Sequence, residues 1–524
     1  MTRRRLLLGA AATLPVVVAG AALPLIHDLT EDPRRLREAP PWTPKQPTDR
    51  LVVNGRPSFW AGVNYPWKTG QDFGTGAWGH SGVSDPTTYQ EIDVDFANMA
   101  AQGVRVVKWR VFSDGRYSPT FADDGTVTGL EDIFFADLDA ALEIAQRHDI
   151  FLVFTLFASG LWTADCNSNG VQLGGHAATL IDETKRTSLV QQGVVPMLQH
   201  LAATDRVLAF EIIAEPEWGV QELSQDDDRR VKIPLAPVRS LIQEVTGAIH
   251  RYTPNALASV ESNRYSNVQH WTGLGLDFHS FSWYDWLEPY DPLQTPAAQL
   301  NIDRPVLLGE FPASGSAYYQ LPEVLDTAYS LGYAGAFAWS YWSGDGLSQW
   351  QTVASDYTDW VRAHWDQVDP TGTATPPGSG PIVQQPYPYT FQGFSTDLDP
   401  DGAIVAAMKI RVASGEPYVP HAYLSELGAA QPLQDVLLTA APGQPGKLAA
   451  RFDLAQPQTP YTISVGIFDR AGKLRKWFNN VATLAVMDGQ LTTPKVDTLT
   501  SELGCASCAC AARLRPPLFF WSRR

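Results

Sequence analysis

The sequence predicts an α/β fold, a (β/α)8 TIM barrel followed by a small all-β, sandwich-like domain. Eight short β-rich runs alternate with helix-like stretches between residues 50 and 368, which is the unit count and length typical of such a barrel. A segment rich in Pro, Gly, Thr and Ser follows the last unit, and beyond it alternating apolar and polar residues predict further strands. These observations divide the chain into a large and a small domain.

The first residues, 1–26, predict an export signal. Their start, TRRRLL, resembles a twin-arginine signal, and an apolar run of 21 residues extends from Leu6 to Ile26. Because this run is long enough to cross a bilayer, an uncleaved membrane anchor is the alternative. Pro-rich residues 27–49 predict a tether. The folded part is therefore expected outside the cytoplasm, either secreted or tethered to the membrane.

Runs of apolar and β-branched residues predict the barrel strands. They are FWAGVNY (59–65), VRVVKWRVF (104–112), IFLVFTLF (150–157), VLAFEIIA (207–214), ALASVE (256–261), LDFHSFSWY (276–284), PVLLGEF (305–311) and GAFAWSYW (335–342). Intervening stretches such as FFADLDAALEIAQRHD and PVRSLIQEVTGAIHRY have the spacing of amphipathic helices. A doubly wound open sheet is the alternative, but no glycine-rich phosphate-binding motif follows the first run. The pattern therefore favours the barrel over residues 50–368.

The remaining segments follow from composition and alternation. Residues 369–381 predict a linker, and 382–490 predict a β-sandwich accessory domain. This domain either binds glycan through Trp477 and Phe478 or acts as a spacer. Residues 491–524 predict a poorly ordered tail that contains Cys505, Cys508 and Cys510. No second ligand pair accompanies these cysteines, so we expect no metal site there.

Composition limits the partners of the protein. The net charge is -17, from 56 acidic and 39 basic side chains, which argues against nucleic acid as a partner. The 17 tryptophans offer flat apolar faces suited to stacking on sugar rings. No cofactor is expected, and a metal-dependent hydrolase is a weak alternative because the predicted strand ends show no His-x-His ligand pair. Nothing in the sequence indicates an oligomeric state.

Two glutamates stand where a barrel places catalytic groups. Glu215 follows the fourth predicted strand and Glu310 lies at the end of the seventh. Active residues of these barrels lie at the C-terminal ends of the strands, so both carboxylates are expected on one rim. Glycoside hydrolysis uses such a pair. Glu211, in contrast, is predicted to be a structural acid inside the barrel, and Glu217 a rim residue within reach of substrate.

The barrel segment resembles the clan A glycoside hydrolases, and in particular glycoside hydrolase family 5, the cellulase and mannanase family. The resemblance covers residues 50–345 and rests on the motifs LVVNGRPSFWAGVNY, KWRVFSDG, FEIIAEPEW, FHSFSWYDW, LLGEF and AFAWSYW. It implies that Glu215 is the acid/base and Glu310 the nucleophile of a retaining hydrolase acting on a β-linked glycan.

The same resemblance assigns supporting residues. It implies that Arg110 keeps the nucleophile ionised, that Tyr284 donates a hydrogen bond to it, and that Trp339 lies under the sugar at the cleavage point, with Trp342 as the alternative platform. Arg105 and Lys108 are expected to be structural or surface charges. Other tryptophans are predicted to line the cleft of an endo-acting enzyme; they are Trp67, Trp78, Trp162, Trp218, Trp283 and Trp286.

The sequence also departs from the family pattern. Ala214 stands where family 5 usually has an asparagine that binds the sugar 2-hydroxyl, and Ser282 stands where it usually has a histidine. His279, three residues earlier, is the remaining histidine of this strand and is predicted to contact substrate. Because contacts to the 2-hydroxyl supply transition-state stabilisation, the alternative to an active enzyme is a catalytically silent glycan-binding or envelope-assembly protein that keeps the barrel.

Overall fold

The computed structural model describes residues 50–492, except 54, 69–71, 75–81, 169–170, 225–230, 286–292, 343–347, 380–383, 414, 427–431, 454–459 and 488–489. The predicted export signal, the tether and nearly all of the tail lie outside these residues, as do Trp78 and Trp286. No helix within them is both long and apolar enough to cross a membrane.

Within the described residues, eight parallel strands form a closed barrel. They are β1 (Trp60–Tyr65), β2 (Val106–Ser113), β3 (Phe151–Ala158), β4 (Val207–Ala214), β5 (Leu257–Ser262), β6 (His279–Ser282), β7 (Val306–Pro312) and β8 (Gly335–Trp339). β8 pairs with β1, with Gly335 opposite Trp60 and Ala338 opposite Val63, and this pairing closes the sheet. The (β/α)8 prediction is therefore confirmed.

Helices lie between most of the strands. The long ones are α1 (Pro86–Ala101), α2 (Asp132–Arg147), α3 (Leu235–Tyr252), α4 (Leu321–Ser330) and α5 (Trp350–Ala363). After β3 lie the short helices Gly160–Thr163, Ala177–Ile181 and Glu183–Ser188, the π-helical Leu189–Val194, and Val195–His200. After β5 and β6 the described residues form the 3-10 helices Tyr265–Trp271 and Ala297–Leu300. The two helix-like stretches quoted from the sequence are α2 and α3.

The start of α1 shows how local sequence fixes a helix end. Asp85 accepts hydrogen bonds from the backbone N–H groups of Thr87 and Thr88 at 2.9 and 3.3 Å, and Pro86 occupies the first turn. Both features satisfy or remove donors that a helix N-terminus leaves unpaired.

The barrel interior is apolar near the N-terminal ends of the strands and polar towards their C-terminal ends. Near the N-terminal ends of the strands it is apolar, with buried residues such as Trp60, Phe151 and Phe337. The hairpin Leu51–Val53 and Arg56–Ser58 contributes Leu51 to this cluster. Polar and charged side chains begin above it, which places the chemically active groups towards the C-terminal end of the strands.

The small domain consists of two antiparallel sheets. Its strands are β9 (Tyr389–Leu398), β10 (Ile404–Val412), β11 (Val419–Glu426), β12 (Gln434–Leu437), β13 (Thr439–Ala440), β14 (Leu448–Phe452), β15 (Tyr461–Phe468), β16 (Leu474–Met487) and β17 (Gln490–Thr492). The sheet orders are β9-β10-β14-β13 and β12-β11-β15-β16-β17. Apolar residues of both sheets share one core. Phe478 stacks on Phe391, with ring centroids 5.4 Å apart, so its ring contacts the domain's own core.

The small domain packs directly against α1. The Asn98 side chain exchanges two hydrogen bonds with the backbone of Gln385, at 2.6 and 3.3 Å. Lys476 on β16 forms a mostly buried ion pair with Glu91, at 2.5 Å. These contacts attach the domain to the barrel beside the loops that follow β1 and β8.

Candidate active site

Glu215 and Glu310 lie at the C-terminal ends of β4 and β7. Glu215 immediately follows β4 and adopts the left-handed conformation, with φ 51°, which is uncommon for a residue other than glycine. Its N–H donates to the carbonyl oxygen of Glu261 at 2.8 Å, and Pro216 then begins the 3-10 helix Pro216–Gly219. Glu310 lies within β7 and is 5% exposed. The turn after β4 therefore places Glu215 at the C-terminal rim of the barrel, where Glu310 also lies.

Glu310 is held by two side chains from other strands. Arg110 on β2 places Nη2 3.3 Å from Glu310 Oε1. The Tyr284 hydroxyl, just after β6, donates to Glu310 Oε2 at 2.9 Å. Burial and then the negative charge of Glu310 raise the pKa of Tyr284 well above its ordinary value, so this phenol remains a donor. A cation and a hydrogen-bond donor thus hold the two carboxyl oxygens of Glu310 in place, as attack by a nucleophile requires.

Glu215 is in the opposite electrostatic situation. Burial raises its pKa to about 7, and the negative charge of Glu310 adds to the shift. The indole N–H of Trp218 donates to Glu215 Oε2 at 3.0 Å and, like Ser282, opposes the shift. Trp218, which the sequence predicted to line the cleft, thus contacts Glu215 directly. Glu215 can therefore hold or release a proton near neutral pH.

Aromatic side chains surround the arginine of this site. The Arg110 guanidinium carbon lies 5.1 Å from the ring centroid of Trp339 and 5.7 Å from that of Trp67. Trp342 is 42% exposed and instead packs on Lys68, whose Nζ lies 4.1 Å from its ring centroid. The structure thus brings Trp339 and Trp67 beside the glutamate pair, while Trp342 stands nearer the small domain.

The structure corrects the expectation for His279. This histidine is the first residue of β6 and pairs in register with Val306, the first residue of β7. Its nearest acid is Asp303, at 3.9 Å, in the loop that leads into β7. The predicted strand began earlier than the observed one, and His279 therefore lies at the N-terminal end of the barrel, away from Glu310.

Three further rim predictions are wrong. Trp283 and Trp162 are fully buried, and the Trp162 indole donates to the carbonyl oxygen of Gly219 at 2.8 Å. Glu217 is 1% exposed and accepts hydrogen bonds from the Asn263 N–H at 3.0 Å and the Trp271 indole at 2.7 Å. It anchors the turn that carries Glu215 to the loop after β5.

Buried charges below the glutamate pair form a feature that the sequence did not predict as a unit. Lys108, Glu211 and Glu261, from β2, β4 and β5, are in contact inside the barrel. Glu211 and Lys108 lie in the barrel interior, and Glu261, which the sequence did not mark as a site residue, lies beside them. The available signal was its place at the end of the fifth run, equivalent to that of Glu215 after the fourth. Arg105 is also buried and pairs with Asp369, below the apolar layer.

No group of three or more His, Cys, Asp or Glu side chains in the described part of the chain has the arrangement of a metal site.

No family model matches the chain, but comparison with known proteins finds similar curated proteins and solved structures. A mannan endo-1,4-beta-mannosidase of Cryptopygus antarcticus is 25% identical over 337 residues, covering 57% of this chain and 84% of that protein. One of Mytilus edulis is 25% identical over 328 residues, covering 55% and 85%. The solved endo-1,4-beta-mannanase of Eisenia fetida shares the fold, with a TM-score of 0.51 at 23% identity, over 64% of this chain and 97% of its own.

The closed eight-stranded barrel and these sequence similarities confirm the resemblance to the clan A glycoside hydrolases, and in particular to family 5, and they support a glycoside hydrolase activity.

Proposed function

We propose that the chain is an exported, retaining endo-β-1,4-mannanase in which Glu215 is the acid/base and Glu310 the nucleophile. The observation that carries the assignment of roles is the contrast between the two carboxyls. Glu310 is held by Arg110 and Tyr284, whereas the pKa of Glu215 is raised to about 7. The substrate class is supported by the names of the two curated relatives.

In the first step, Glu310 attacks the anomeric carbon of the sugar while Glu215 gives its proton to the glycosidic oxygen. The bond to the leaving sugar breaks, and an ester forms between Glu310 and the remaining sugar. Arg110 and Tyr284 aim the attacking carboxylate. The face of Trp339 beside Arg110 offers a surface for the sugar ring.

Formation of the ester changes the field at Glu215. The negative charge of Glu310 is one cause of the raised pKa of Glu215, and that charge disappears when the ester forms. The ionised Glu215 then acts as the general base. It takes a proton from a water molecule while the water oxygen attacks the anomeric carbon, and the ester bond to Glu310 breaks. Two inversions at one carbon give net retention.

The test uses purified protein on β-1,4-mannan. We expect release of reducing sugar, with the β anomer formed first as seen by proton NMR. We expect Glu310→Ala to lose this activity by at least about a thousandfold, or ~4 kcal/mol of transition-state stabilisation. Exposed Glu426 gives the matched control, and Glu426→Ala should retain full activity. Equal release by Glu310→Ala would disprove the assignment.

A 2-fluoro-mannosyl fluoride identifies the nucleophile directly, because the fluorine slows hydrolysis of the ester. Mass spectrometry should find the sugar on the peptide that contains Glu310, and a label on another residue would contradict the proposal. For Glu215→Ala, we expect cleavage of aryl mannosides with good leaving groups to survive and to be accelerated by azide, since that leaving group needs no acid.

Ala214 favours one other function, that of a glycan-binding protein without catalytic activity. Its buried methyl group ends β4 next to Glu215 and offers no hydrogen bond to a 2-hydroxyl. Binding of mannan in affinity electrophoresis without turnover of any β-mannoside would support this alternative and exclude the enzyme.

A further inference from the structure

A buried charge cluster, Lys108, Glu211 and Glu261, lies inside the barrel beneath the proposed catalytic pair. The Lys108 ammonium is 2.9 Å from Glu261 Oε1 and 3.3 Å from Glu211 Oε1. The three side chains are 4%, 0% and 2% exposed in the order lysine, Glu261, Glu211. Buried charges of this kind are costly unless they are balanced and hydrogen-bonded.

The two carboxyls of the cluster are bound unequally. Glu211 accepts hydrogen bonds from the Thr155 hydroxyl at 2.9 Å and the Ser280 hydroxyl at 3.0 Å, in addition to its contact with Lys108. Glu261 contacts Lys108 through Oε1, and its buried Oε2 has no hydrogen-bond partner among the described residues. Three donors stabilise a carboxylate at Glu211. The more weakly supported Glu261 is the member suited to carry a proton.

The charge cluster is in direct contact with the strand of the nucleophile. Glu261 Oε1 fills the space above Gly309, where an added Cβ would lie 2.1 Å from it, and Gly309 immediately precedes Glu310. Lys108 precedes Arg110 by two residues on β2, so both cations project from the same face of that strand. The charge cluster therefore adjoins the proposed catalytic residues on both β2 and β7.

The charges of the catalytic residues and of the cluster below them can be summed to find which ionisation states leave the barrel interior neutral. Lys108 and Arg110 are the cations, and Glu211 and Glu310 are the carboxylates with the most donors. With Glu215 protonated, as its role as the acid requires, these four groups sum to zero. If Glu261 were also ionised, the interior would hold an uncompensated negative charge, which is strongly unfavourable at low effective dielectric constant.

We propose that Lys108 and Glu261 are positioning residues of the catalytic centre: Lys108 is a second cation, besides Arg110, that holds Glu310 ionised, and Glu261 carries the proton that keeps the interior neutral. This inference rests on the proposed role of Glu310.

The electrostatics of the surrounding groups agree with this arrangement. Burial, and then the charge of Glu211, raises the pKa of Glu261 well above its ordinary value. Burial lowers the pKa of Lys108, but the carboxylates around it, Glu310 among them, outweigh burial and raise it. The titratable groups that face the centre are Lys108 and Arg110 from β2, Glu211 and Glu215 from β4, Glu261 from β5, Tyr284 after β6 and Glu310 from β7. β1, β3 and β8 face it with the uncharged Asn64, Thr155 and Trp339.

The first test follows the ionisation of Glu310 without turnover. Infrared difference spectra between each protein and its Glu310→Gln derivative isolate the Glu310 carboxyl band during a pH titration. In Lys108→Met we expect the midpoint to move up by about one pH unit or more, the effect of a unit charge several ångström away at an effective dielectric constant of about 20. Lys108→Arg, which keeps the charge, should leave the midpoint close to that of the wild type, and the exposed control Lys409→Met should show no shift. An unshifted midpoint in a folded Lys108→Met protein would overturn the role of Lys108.

The second test reads the proton on Glu261 from stability, which also serves if Lys108→Met does not fold. A carboxyl whose pKa is raised by folding contributes stability that is fully present below its unfolded pKa and is lost as pH rises through the folded pKa. The melting temperature of the wild type relative to Glu261→Gln should therefore fall as pH rises from about 4.5. The exposed control Glu426→Gln should show no such fall. An increase with pH would mean that Glu261 is ionised and would overturn its role.

Turnover separates this inference from the proposed function. If the wild type does not cleave mannan but both titrations behave as expected, the proposed substrate is wrong and the arrangement of charges stands. If mannan is cleaved, the acidic limb of kcat/KM in Lys108→Met should move to higher pH together with the infrared midpoint. Cleavage with an unmoved limb would refute the part assigned to Lys108.

Discussion

The hydrogen bond from Trp218 to Glu215 makes a quantitative prediction about the pH dependence of activity. The indole N–H donates to Glu215 Oε2 at 3.0 Å, and a donor of this kind stabilises the carboxylate more than the acid. Trp218→Phe keeps an aromatic ring and removes only the N–H. The pKa of Glu215 should then rise from its value of about 7.

The size of the shift follows from the strength of the bond. A hydrogen bond to a charged group contributes about 1.5 kcal/mol at the lower end of the usual range, and one pKa unit corresponds to about 1.4 kcal/mol. The basic limb of kcat/KM, which reports loss of the proton from the acid, should therefore move from about pH 7 to about pH 8. Activity above neutral pH should increase relative to the optimum.

The assay is kcat/KM for an aryl β-mannobioside between pH 4 and pH 10. Trp365→Phe is the matched control, because Trp365 is also half-buried and its indole donates to a backbone carbonyl far from the site, that of Ala374 at 2.9 Å. A change in KM alone would report a lost sugar contact and leave the limb in place. A basic limb that is unmoved or moves to lower pH in Trp218→Phe would refute the assignment of Glu215 as the acid.

Three further predictions concern the support of the site and the fold. Tyr284→Phe removes a hydrogen bond of about 1.5 to 3 kcal/mol to the ionised Glu310, so kcat/KM should fall by about 10- to 100-fold while the urea midpoint changes little; an unchanged rate would exclude a role for the phenol. Glu217→Leu leaves two buried donors unpaired and should cost ~2–4 kcal/mol in urea unfolding, whereas an unaffected stability would show that this carboxylate is not structural. Lys476→Met leaves Glu91 without its cation and should destabilise the protein by about 3 kcal/mol, measured by calorimetry; a smaller loss than that of the exposed control Lys409→Met would show that the domain contact is not needed.

Much of the barrel could be predicted because its signals are local. Runs of β-branched and aromatic residues marked all eight strands, and the amphipathic spacing marked α2 and α3. The observed β6 is shorter than its prediction because its ends are set by pairing with β5 and β7, which local propensity does not reveal. That difference of a few residues is what misplaced His279.

The site was predictable to the extent that it depends on strand number and strand end. Glu215 and Glu310 were recognised because each closes a run that the alternation had already marked as a strand. Whether a tryptophan lines the cleft was not predictable in this way. Trp162 after predicted strand 3 and Trp283 at the end of predicted strand 6 were as plausible as Trp67 after strand 1. Whether a loop side chain turns inward or outward depends on neighbours from distant segments, such as Gly219 for Trp162.

The sequence by itself determined the barrel, the small β domain and the two glutamates on one rim, because hydrophobic period and strand order are properties of neighbouring residues. Only the tertiary structure decided the ionisation states of the side chains in the site. Lys108, Glu211 and Glu261 are separated by up to 153 residues along the chain, and closure of the barrel brings them into one buried cluster. Ionisation depends on burial and on the distances between charges, and both exist only once the strands have closed.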